Sequence, residues 1–461
     1  MVCFLNFITV RPHLLLCLLA LKGGRASHGE GDSGGRYYTV VAAASLAPVT
    51  ACQPSSDVPK AGASLTVIPS NGPCSPKPSA MPDLAHAVAV DLLRLHSIHS
   101  SLASVNSKAA TVPVKSLTSI GSPNYVVNLL LGTPPQNLTF SFDTAVELSW
   151  SPCQPCQSCH KQLRPIFNRT ASSTYHDVSC NSTFCTGLNN SYGTGCSGSS
   201  CGYTLADADG YTSGIIGSDT LIMGSDTVQT FRFGCGDDNE GSFNNTSGTL
   251  GLGYGGSGLV SQTAGKYNLS FSYCLPTASA QGYLRIGRTD RSFANTPYAK
   301  LVAFNWTSQY FVKLSEIHVA NETLRIDASD FVSWLVLDSG TKITRLPPAA
   351  YDFLSSAFRR GMKNYRQVKS TTGLLDPCFD LSDNTSSIRF PTVTLVFDGN
   401  AAMKMTAQGT LTGDSLKEKC LAFAPTNDVY PGTLGSLQQA THDITLDVGG
   451  GRLWFAGGGC T

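Results

Sequence analysis

Two short motifs of the same kind, 195 residues apart, constrain the fold of this chain more than any other feature. Asp143-Thr144-Ala145 follows the apolar segment Phe140-Ser141-Phe142, and Asp338-Ser339-Gly340-Thr341 follows Trp334-Leu335-Val336-Leu337. Each half also has a later apolar-glycine pair, Leu250-Gly251 in the first and Leu434-Gly435 in the second. This weak internal repeat predicts two similar β lobes, each of which delivers one aspartate at the end of a strand.

The two aspartates suit one particular chemistry. Two carboxylates held about 3 Å apart share a proton, so that one acts as a base and the other as an acid toward a water molecule. We therefore predict Asp143 and Asp338 as the catalytic pair, with no metal or other cofactor. The supporting residues are predicted to be the ones that follow each aspartate: hydroxyl groups brace the loops, and a small residue lets a backbone N–H reach the carboxylate. They are Thr144, Ala145, Ser339, Gly340 and Thr341.

Composition agrees with a β-rich protein that has a large core. Apolar residues make up 41% of 461 residues, and 45 glycines separate short strand-like runs. The net charge of +1 gives no reason to expect nucleic acid or an anionic membrane as a partner. No later segment reaches about 18 uninterrupted apolar residues, so no membrane span is expected.

Several features indicate the secretory pathway. Twelve of the 16 cysteines lie between Cys153 and Cys460, and ten Asn-x-Ser/Thr sequons lie between Asn137 and Asn384. Residues 1–26 have the pattern of a signal peptide, although Arg11-Pro12-His13 interrupts the apolar stretch. We expect a secreted glycoprotein, extracellular or vacuolar, with a plastid transit peptide as the alternative.

Residues 27–118 differ in composition from the rest and are predicted to be a prosegment. They are rich in Ala, Ser and Pro, and they contain one predicted helix, Asp83 to Ser104. The helix is either a solvated linker or part of a zymogen prosegment that covers a cleft until acid charges its histidines. Its apolar positions and its histidines are Leu84, Val88, Leu92, Leu95 and Ile98, and His86, His96 and His99. The two lobes are then expected at 119–296 and 297–461.

These motifs occur together in a known family. The chain resembles the plant pepsin-like aspartic proteases of the nepenthesin type and their chloroplast-nucleoid-protein-like relatives. The resemblance extends from Gly72 to Cys460. Its motifs are Gly72-Pro73-Cys74-Ser75-Pro76, Leu131-Gly132-Thr133-Pro134, Phe233-Gly234-Cys235, Phe271-Ser272-Tyr273-Cys274-Leu275-Pro276, the run from Asp338 to Pro347, Cys420-Leu421-Ala422-Phe423-Ala424 and Gly450-Gly451-Arg452-Leu453.

The resemblance implies a mostly β, bilobal pepsin-like fold that takes an extended polypeptide into the cleft between its lobes, as a monomer. It also implies six disulfides: Cys153–Cys156, Cys159–Cys235, Cys180–Cys201, Cys185–Cys196, Cys274–Cys460 and Cys378–Cys420. The spacing Cys153-x-x-Cys156-x-x-Cys159-His160 would also fit a zinc site, but an oxidising compartment favours disulfides.

The chain departs from the family pattern near the first aspartate. The usual Asp-Thr-Gly-Ser is replaced by Asp143-Thr144-Ala145-Val146, which adds a methyl group and removes a hydroxyl group. In the predicted flap, Asp207 stands where the family has a tyrosine that covers the dyad, and Tyr203 or Tyr211 would have to substitute. In the second lobe, Gly435-Ser436 replaces the usual Gly-Asn.

Two functions of different classes follow. The first is an aspartic endopeptidase that works at acidic pH. The alternative is a catalytically impaired binding protein, comparable to plant relatives that inhibit glycan-degrading enzymes of the cell wall, and a gene copy without preserved function is a third reading. Among smaller features, Trp150 is expected in the core or the cleft wall, and Arg345 is expected to pair with a loop carboxylate.

Overall fold

The computed structural model describes most of the chain beyond the N-terminus. The described residues are 27–28, 37–47, 49–53, 62–75, 84–103, 124–158, 165–188, 193, 195–207, 210–241, 246–287, 293–304, 307–327, 333–371, 373–383, 386–426 and 430–460. The predicted signal peptide (1–26), the predicted end of the prosegment near residue 118, and Cys159 lie outside them. None of the described helices is both long and apolar enough to cross a membrane.

The structure is mostly β, as predicted, with few helices. The α-helices are α1 Leu84–Ala103, α2 Thr183–Gly187, α3 Leu259–Gln262, α4 Ala264–Tyr267, α5 Pro348–Gly361, α6 Ala407–Thr410 and α7 Ser436–Gln439, and 3-10 helices span Ala43–Leu46 and Arg169–Ala171. The strands of the first half are β1 Ser27–His28, β2 Tyr38–Ala42, β3 Ser64–Pro69, β4 Tyr125–Leu131, β5 Gln136–Asp143, β6 Trp150–Gln154, β7 Phe167–Asn168, β8 His176–Asp177, β9 Gly195–Ser197, β10 Ser200–Asp207, β11 Gly210–Met223, β12 Asp226–Gly241, β13 Thr249–Gly251, β14 Ser270–Cys274 and β15 Gly282–Ile286. The strands of the second half are β16 Ala299–Lys300, β17 Val302–Ala303, β18 Tyr310–Val319, β19 Glu322–Arg325, β20 Trp334–Leu337, β21 Thr344–Leu346, β22 Arg366–Val368, β23 Cys378–Asp380, β24 Ser387–Pro391, β25 Val393–Phe397, β26 Ala401–Lys404, β27 Leu411–Ser415, β28 Glu418–Leu421, β29 Phe423–Pro425, β30 Gly432–Leu434, β31 His442–Asp447 and β32 Arg452–Gly457.

The internal repeat seen in the sequence is a repeat of strand pairing. In the first half β5 runs parallel to β13, so that Asp143 lies opposite Gly251. In the second half β20 runs parallel to β30, so that Leu337 lies opposite Leu434. Both aspartates are thus delivered at strand ends, each beside the glycine signal of its own half.

Strands from both halves and from the N-terminal segment form one extended sheet. Its central order is β32-β31-β14-β15-β3-β4-β5, followed by the other strands of the first lobe. Strand β3 pairs with β15 on one edge and with β4 on the other. The predicted prosegment therefore supplies an internal strand of the protein, and β2 adds a further pairing to β24.

Helix α1 confirms the predicted helix to within a residue at each end, and four of its five predicted apolar positions are buried. They are Leu84, Val88, Leu95 and Ile98. Leu92, expected on the same face, is 44% exposed, whereas the charged residues Asp91 and Arg94 are only 2% and 5% exposed.

The structure corrects four of the six expected disulfides. Cys153 bonds to Cys235, with 5.4 Å between their Cα atoms, because β6 runs parallel to β12 and buries both residues. Cys153–Cys156 and Cys159–Cys235 are therefore wrong, and Cys153 is not free to bind zinc.

In the cysteine-rich insertion, the buried Cys185 and Cys201 pair inside one hydrophobic cluster, which leaves Cys196 to pair with Cys180. Cys180–Cys201 and Cys185–Cys196 are accordingly wrong. Cys274–Cys460 and Cys378–Cys420 are present as expected, and Cys52–Cys74 is an additional bond in the N-terminal segment.

Candidate active site

The two aspartates meet where the halves of the molecule join, and both are fully buried. Their loops are tied together across the two lobes by the hydroxyl residues that follow them. The Thr144 hydroxyl donates to the Leu337 carbonyl at 2.9 Å and accepts from the Ser339 N–H at 3.0 Å. In return the Thr144 N–H donates to the Ser339 hydroxyl at 3.2 Å. This reciprocal brace fixes the two strand ends against each other.

Each carboxylate accepts a hydrogen bond from the backbone two residues further along. The Ala145 N–H donates to Asp143 Oδ1 at 2.9 Å, and the Gly340 N–H donates to Asp338 Oδ1 at 2.8 Å. The methyl group of Ala145 therefore does not prevent this contact. The lobes differ at the next position. Thr341 donates its hydroxyl to Asp338 Oδ2 at 2.6 Å, but the corresponding Val146 has no hydroxyl to offer Asp143.

Arg94 of helix α1 occupies the space between the two carboxylates. Its Nη2 donates to Asp143 Oδ1 at 2.8 Å and to Asp338 Oδ1 at 2.6 Å, and its Nε donates to Asp338 Oδ2 at 2.9 Å. A Cβ atom on Gly340 would lie 2.3 Å from the guanidinium carbon, so the glycine makes room for this side chain. One buried cation therefore blocks the position that a reacting peptide would need.

Asp91, one turn before Arg94, anchors the helix to the second lobe. Its carboxylate accepts the N–H groups of Lys342 and Ile343, both at 2.8 Å. Further along, Ile98 packs against Phe311 and Val336, and the ring of His99 stacks on Tyr430 at a centroid distance of 4.2 Å. The described part of α1 thus lies across the loops that carry the aspartates, and Asp91 and Arg94 make its polar contacts with them.

The charges of the site shift the pKa values of the two aspartates in opposite directions. Burial raises the pKa of Asp143, and the Asp338 charge adds to that, although Arg94 opposes it. Burial acts the same way on Asp338, but Arg94 and the hydrogen bonds from Thr341 and Gly340 outweigh it, and its pKa is lowered. Asp338 is therefore the ionised partner and Asp143 the one more readily protonated.

The predicted flap is the β10–β11 hairpin. Asp207 ends β10 opposite Gly210, next to the turn. Tyr203 is buried in the first lobe, where its hydroxyl contacts the Thr212 hydroxyl at 2.9 Å. The Tyr211 hydroxyl donates to Asp238 at 2.9 Å. Both tyrosines are thus engaged within their own lobe. Trp150 is a core residue in the same cluster as Tyr203, as expected.

Sequence reasoning missed Arg94 and Asp91. A usable signal was present, because Leu84, Val88, Asp91, Leu95 and Ile98 follow the 4-3-4-3 spacing of one helix face. A charged residue on an otherwise apolar stripe is costly to bury unless it has a partner. That pattern predicts that the buried face of the helix makes polar contacts with the surface on which it packs.

Comparison with known proteins identifies the families and relatives that this chain is similar to. Residues 125–288 match the family described as "Xylanase inhibitor N-terminal", and residues 309–457 match "Xylanase inhibitor C-terminal". Aspartyl protease AED1 of Arabidopsis thaliana is 34% identical over 99% of both chains. Aspartic proteinase nepenthesin-2 of Nepenthes gracilis is 29% identical over 77% of this chain and 81% of its own.

Solved structures show the same architecture at low sequence identity. Basic 7S globulin from soybean has a TM-score of 0.59 at 20% identity and covers 73% of this chain and 93% of its own. Conglutin gamma from lupine seeds has a TM-score of 0.58 at 20% identity, with 72% and 91% covered. These two structures bear on the fold alone.

Proposed function

This chain belongs to the plant pepsin-like aspartic proteases, and we propose that it is an acid endopeptidase held in a latent form by its own N-terminal segment. The observation that carries the proposal is the pair Asp143 and Asp338, braced across the lobes and bridged by Arg94. The helix that carries Arg94 precedes both lobes in the chain, so this cation can leave the dyad while the brace between the lobes stays in place. The substrate class is an extended polypeptide bound between the lobes.

The residues support a defined division of labour once α1 has left. Asp338, which keeps hydrogen bonds from Gly340 and Thr341, remains the more acidic group and takes a proton from the attacking water. The water oxygen then bonds to the peptide carbonyl carbon, and protonated Asp143 donates its proton to the carbonyl oxygen. The tetrahedral gem-diol collapses as Asp338 passes the proton that it took from water to the nitrogen and Asp143 takes a proton back from a hydroxyl group. The C–N bond then breaks, which yields a carboxylic acid and an amine and restores both aspartates.

The N-terminal segment acts as the prosegment in this proposal, with residues 27–118 as its extent. Helix α1 fills the cleft, and Arg94 takes the place of the reacting groups. Acid would open the cleft, because protonating the aspartates removes the charges that Arg94 neutralises. The disulfides of the described residues support secretion as the destination. Expression of the full chain in plant cells tests this destination. Secretion of the protein with attached N-glycans would agree with the proposal, and import into plastids would contradict it.

A second candidate is a binding protein that lacks useful catalysis. The missing hydroxyl at Val146 favours it, since the loss of one preorganised donor can reduce a rate by about 10²–10³-fold. The matched families are also described as xylanase inhibitors. In that case the cleft or the outer surface would bind another protein instead of cutting it.

Acid proteolysis separates the two. The full chain is incubated at pH 3–5 with a denatured protein, with and without pepstatin, beside Asp338→Ala as the control. Pepstatin-sensitive cleavage that is absent from the control supports the endopeptidase. Absence of cleavage from correctly folded protein, even after the N-terminal segment has been cut and acid-released, refutes it and favours the binding protein.

A further inference from the structure

Arg345 in β21 is a buried cation that the proposed chemistry does not use. It is 8% exposed, and its Nη1 donates to the Pro425 carbonyl at 3.4 Å. Its Nε and Nη2 are buried and have no hydrogen-bond partner among the described residues. Among the described residues the carboxylate whose charge acts on Arg345 is Asp91 of α1, so the expected pairing with a loop carboxylate is not found there. Leaving two guanidinium donors unsatisfied is costly, so the arrangement needs a reason.

The position of Arg345 in the fold shows what covers it. Arg345 lies two residues after Ile343, and alternate residues of an extended chain point to the same side. Ile343 and Ala424 belong to one buried hydrophobic cluster with Leu84 and Val88 of α1, and Ala424 lies opposite Arg345 in the sheet. Helix α1 therefore covers this face, which becomes part of the cleft wall near Asp338 when the helix leaves.

The charges around Arg345 fit this location. Asp91 and His99, two turns apart on α1, both lie close enough for the Arg345 charge to lower their pKa values. On the second lobe, Tyr351 is the titratable group near enough to influence Arg345. When α1 leaves, Asp91 leaves with it, and Arg345 loses the carboxylate whose charge raises its pKa.

We propose that Arg345 is a specificity-determining residue that binds a Glu or Asp side chain of the polypeptide substrate, away from the bond that is cut. Nε–H and Nη2–H form one edge of the guanidinium, which matches the two oxygens of a carboxylate. A carboxylate there would satisfy both donors at once. This inference rests on the proposed endopeptidase function and names a preference within it.

The test uses pairs of peptides that differ by a single Glu-to-Gln exchange, scanned along the sequence. The full chain carries a site for an added site-specific protease between Ala103 and Asn124, and it is cut after folding and opened by acid. At pH 5 we expect one Glu position to lower KM by about tenfold relative to Gln, since a hydrogen bond to a charged group contributes that much. Arg345→Gln should remove the preference, so that its KM values for the Glu and Gln peptides become equal, and Arg345→Lys should keep part of the preference.

The pH dependence gives a second readout that a purely structural role would not affect. Free Glu has a pKa of about 4.3, so the preference should fade below about pH 4. Equal cleavage of Glu and Gln peptides by the unmodified sequence at every position overturns the inference and leaves the endopeptidase intact.

If no peptide is cut, the proposed endopeptidase function is refuted. Fluorescence anisotropy of labelled peptides bound to the cut chain then decides the role of Arg345. Tighter binding of a Glu peptide, lost in Arg345→Gln, supports it, and equal binding overturns it. Should Arg345→Gln not fold, Arg345→Lys and the pH dependence of the unmodified chain decide in the same way.

Discussion

At the scale of single residues, the two departures in the first motif have unequal consequences. Ala145 keeps its N–H bond to Asp143 at 2.9 Å, in the same geometry as Gly340 beside Asp338. Val146 differs more, because its counterpart Thr341 donates a hydroxyl to Asp338 at 2.6 Å. The sequence indicates both changes, but only the structure shows that the backbone contact is kept at Ala145.

Restoring the hydroxyl should therefore raise activity. We expect Val146→Thr to increase kcat/KM on a denatured protein at pH 4 by roughly 10- to 100-fold, because it supplies Asp143 with a donor. Val146→Ala removes both methyl groups of the valine without adding a hydroxyl and should give no increase. Ala145→Gly should change kcat/KM by less than about threefold, since its N–H contact already exists. A larger gain from Ala145→Gly than from Val146→Thr would contradict this ranking.

At the scale of elements, helix α1 responds to acid through groups that oppose one another. Burial lowers the pKa of His99 to about 4, aided by the charges of His96 and Arg345. In the released helix His99 takes up a proton below about pH 6.5, whereas in the docked helix it does so only near pH 4. Between these two pH values falling pH therefore favours release of the helix. Burial raises the pKa of Asp91 to about 6, and that carboxyl favours docking as the pH falls.

His99 should accordingly set part of the pH at which the helix opens. His99→Phe keeps a ring to stack on Tyr430 but cannot take up a proton, so we expect the acid midpoint of α1 release to fall by about one pH unit. Hydrogen exchange of the helix backbone between pH 7 and 3 measures that midpoint. His86→Phe, at an exposed position of the same helix, is the matched control. An unchanged midpoint in His99→Phe would exclude this histidine as an acid sensor.

Some of these elements could be predicted from the sequence and others could not. Helix bounds and aspartate strands were predictable, because apolar periodicity and the strand-ending motifs are local. The burial of Asp91 in place of Leu92 was not predictable, because it depends on the N–H groups of Lys342 and Ile343, which lie far away in the sequence. The pairing of Cys153 with Cys235 likewise depends on the parallel register of β6 and β12, which spacing in the sequence does not contain.

At the scale of the whole molecule, the N-terminal segment is both a plug and a structural part. Strand β3 is paired on both edges, to β4 and to β15, and Val67 in it is fully buried. Removing it would expose two strand edges in the sheet that joins the lobes. Cleavage after α1 and departure of the N-terminal fragment are therefore separate events.

We predict that the fragment stays bound after the chain is cut between Ala103 and Asn124. Size-exclusion chromatography at pH 7 should elute both pieces together, because the strand pairings remain. Val67→Asp, which buries a charge in β3, should release the fragment, whereas Thr66→Asp on the opposite face should not. Separate elution of the unmodified fragment at pH 7 would show that β3 is dispensable.

The most direct test of the account is the pH at which the intact chain first cleaves an added denatured protein. The unmodified sequence is compared with Arg94→Ala and Arg94→Lys from pH 3 to 7, and Asp338→Ala gives the background. Without Arg94, docking α1 leaves two buried carboxylates without a counter-charge, so the onset of cleavage should rise by at least about one pH unit, with Arg94→Lys between. The same onset in all three proteins would mean that Arg94 does not hold the dyad latent, and no cleavage in any of them would contradict the endopeptidase itself.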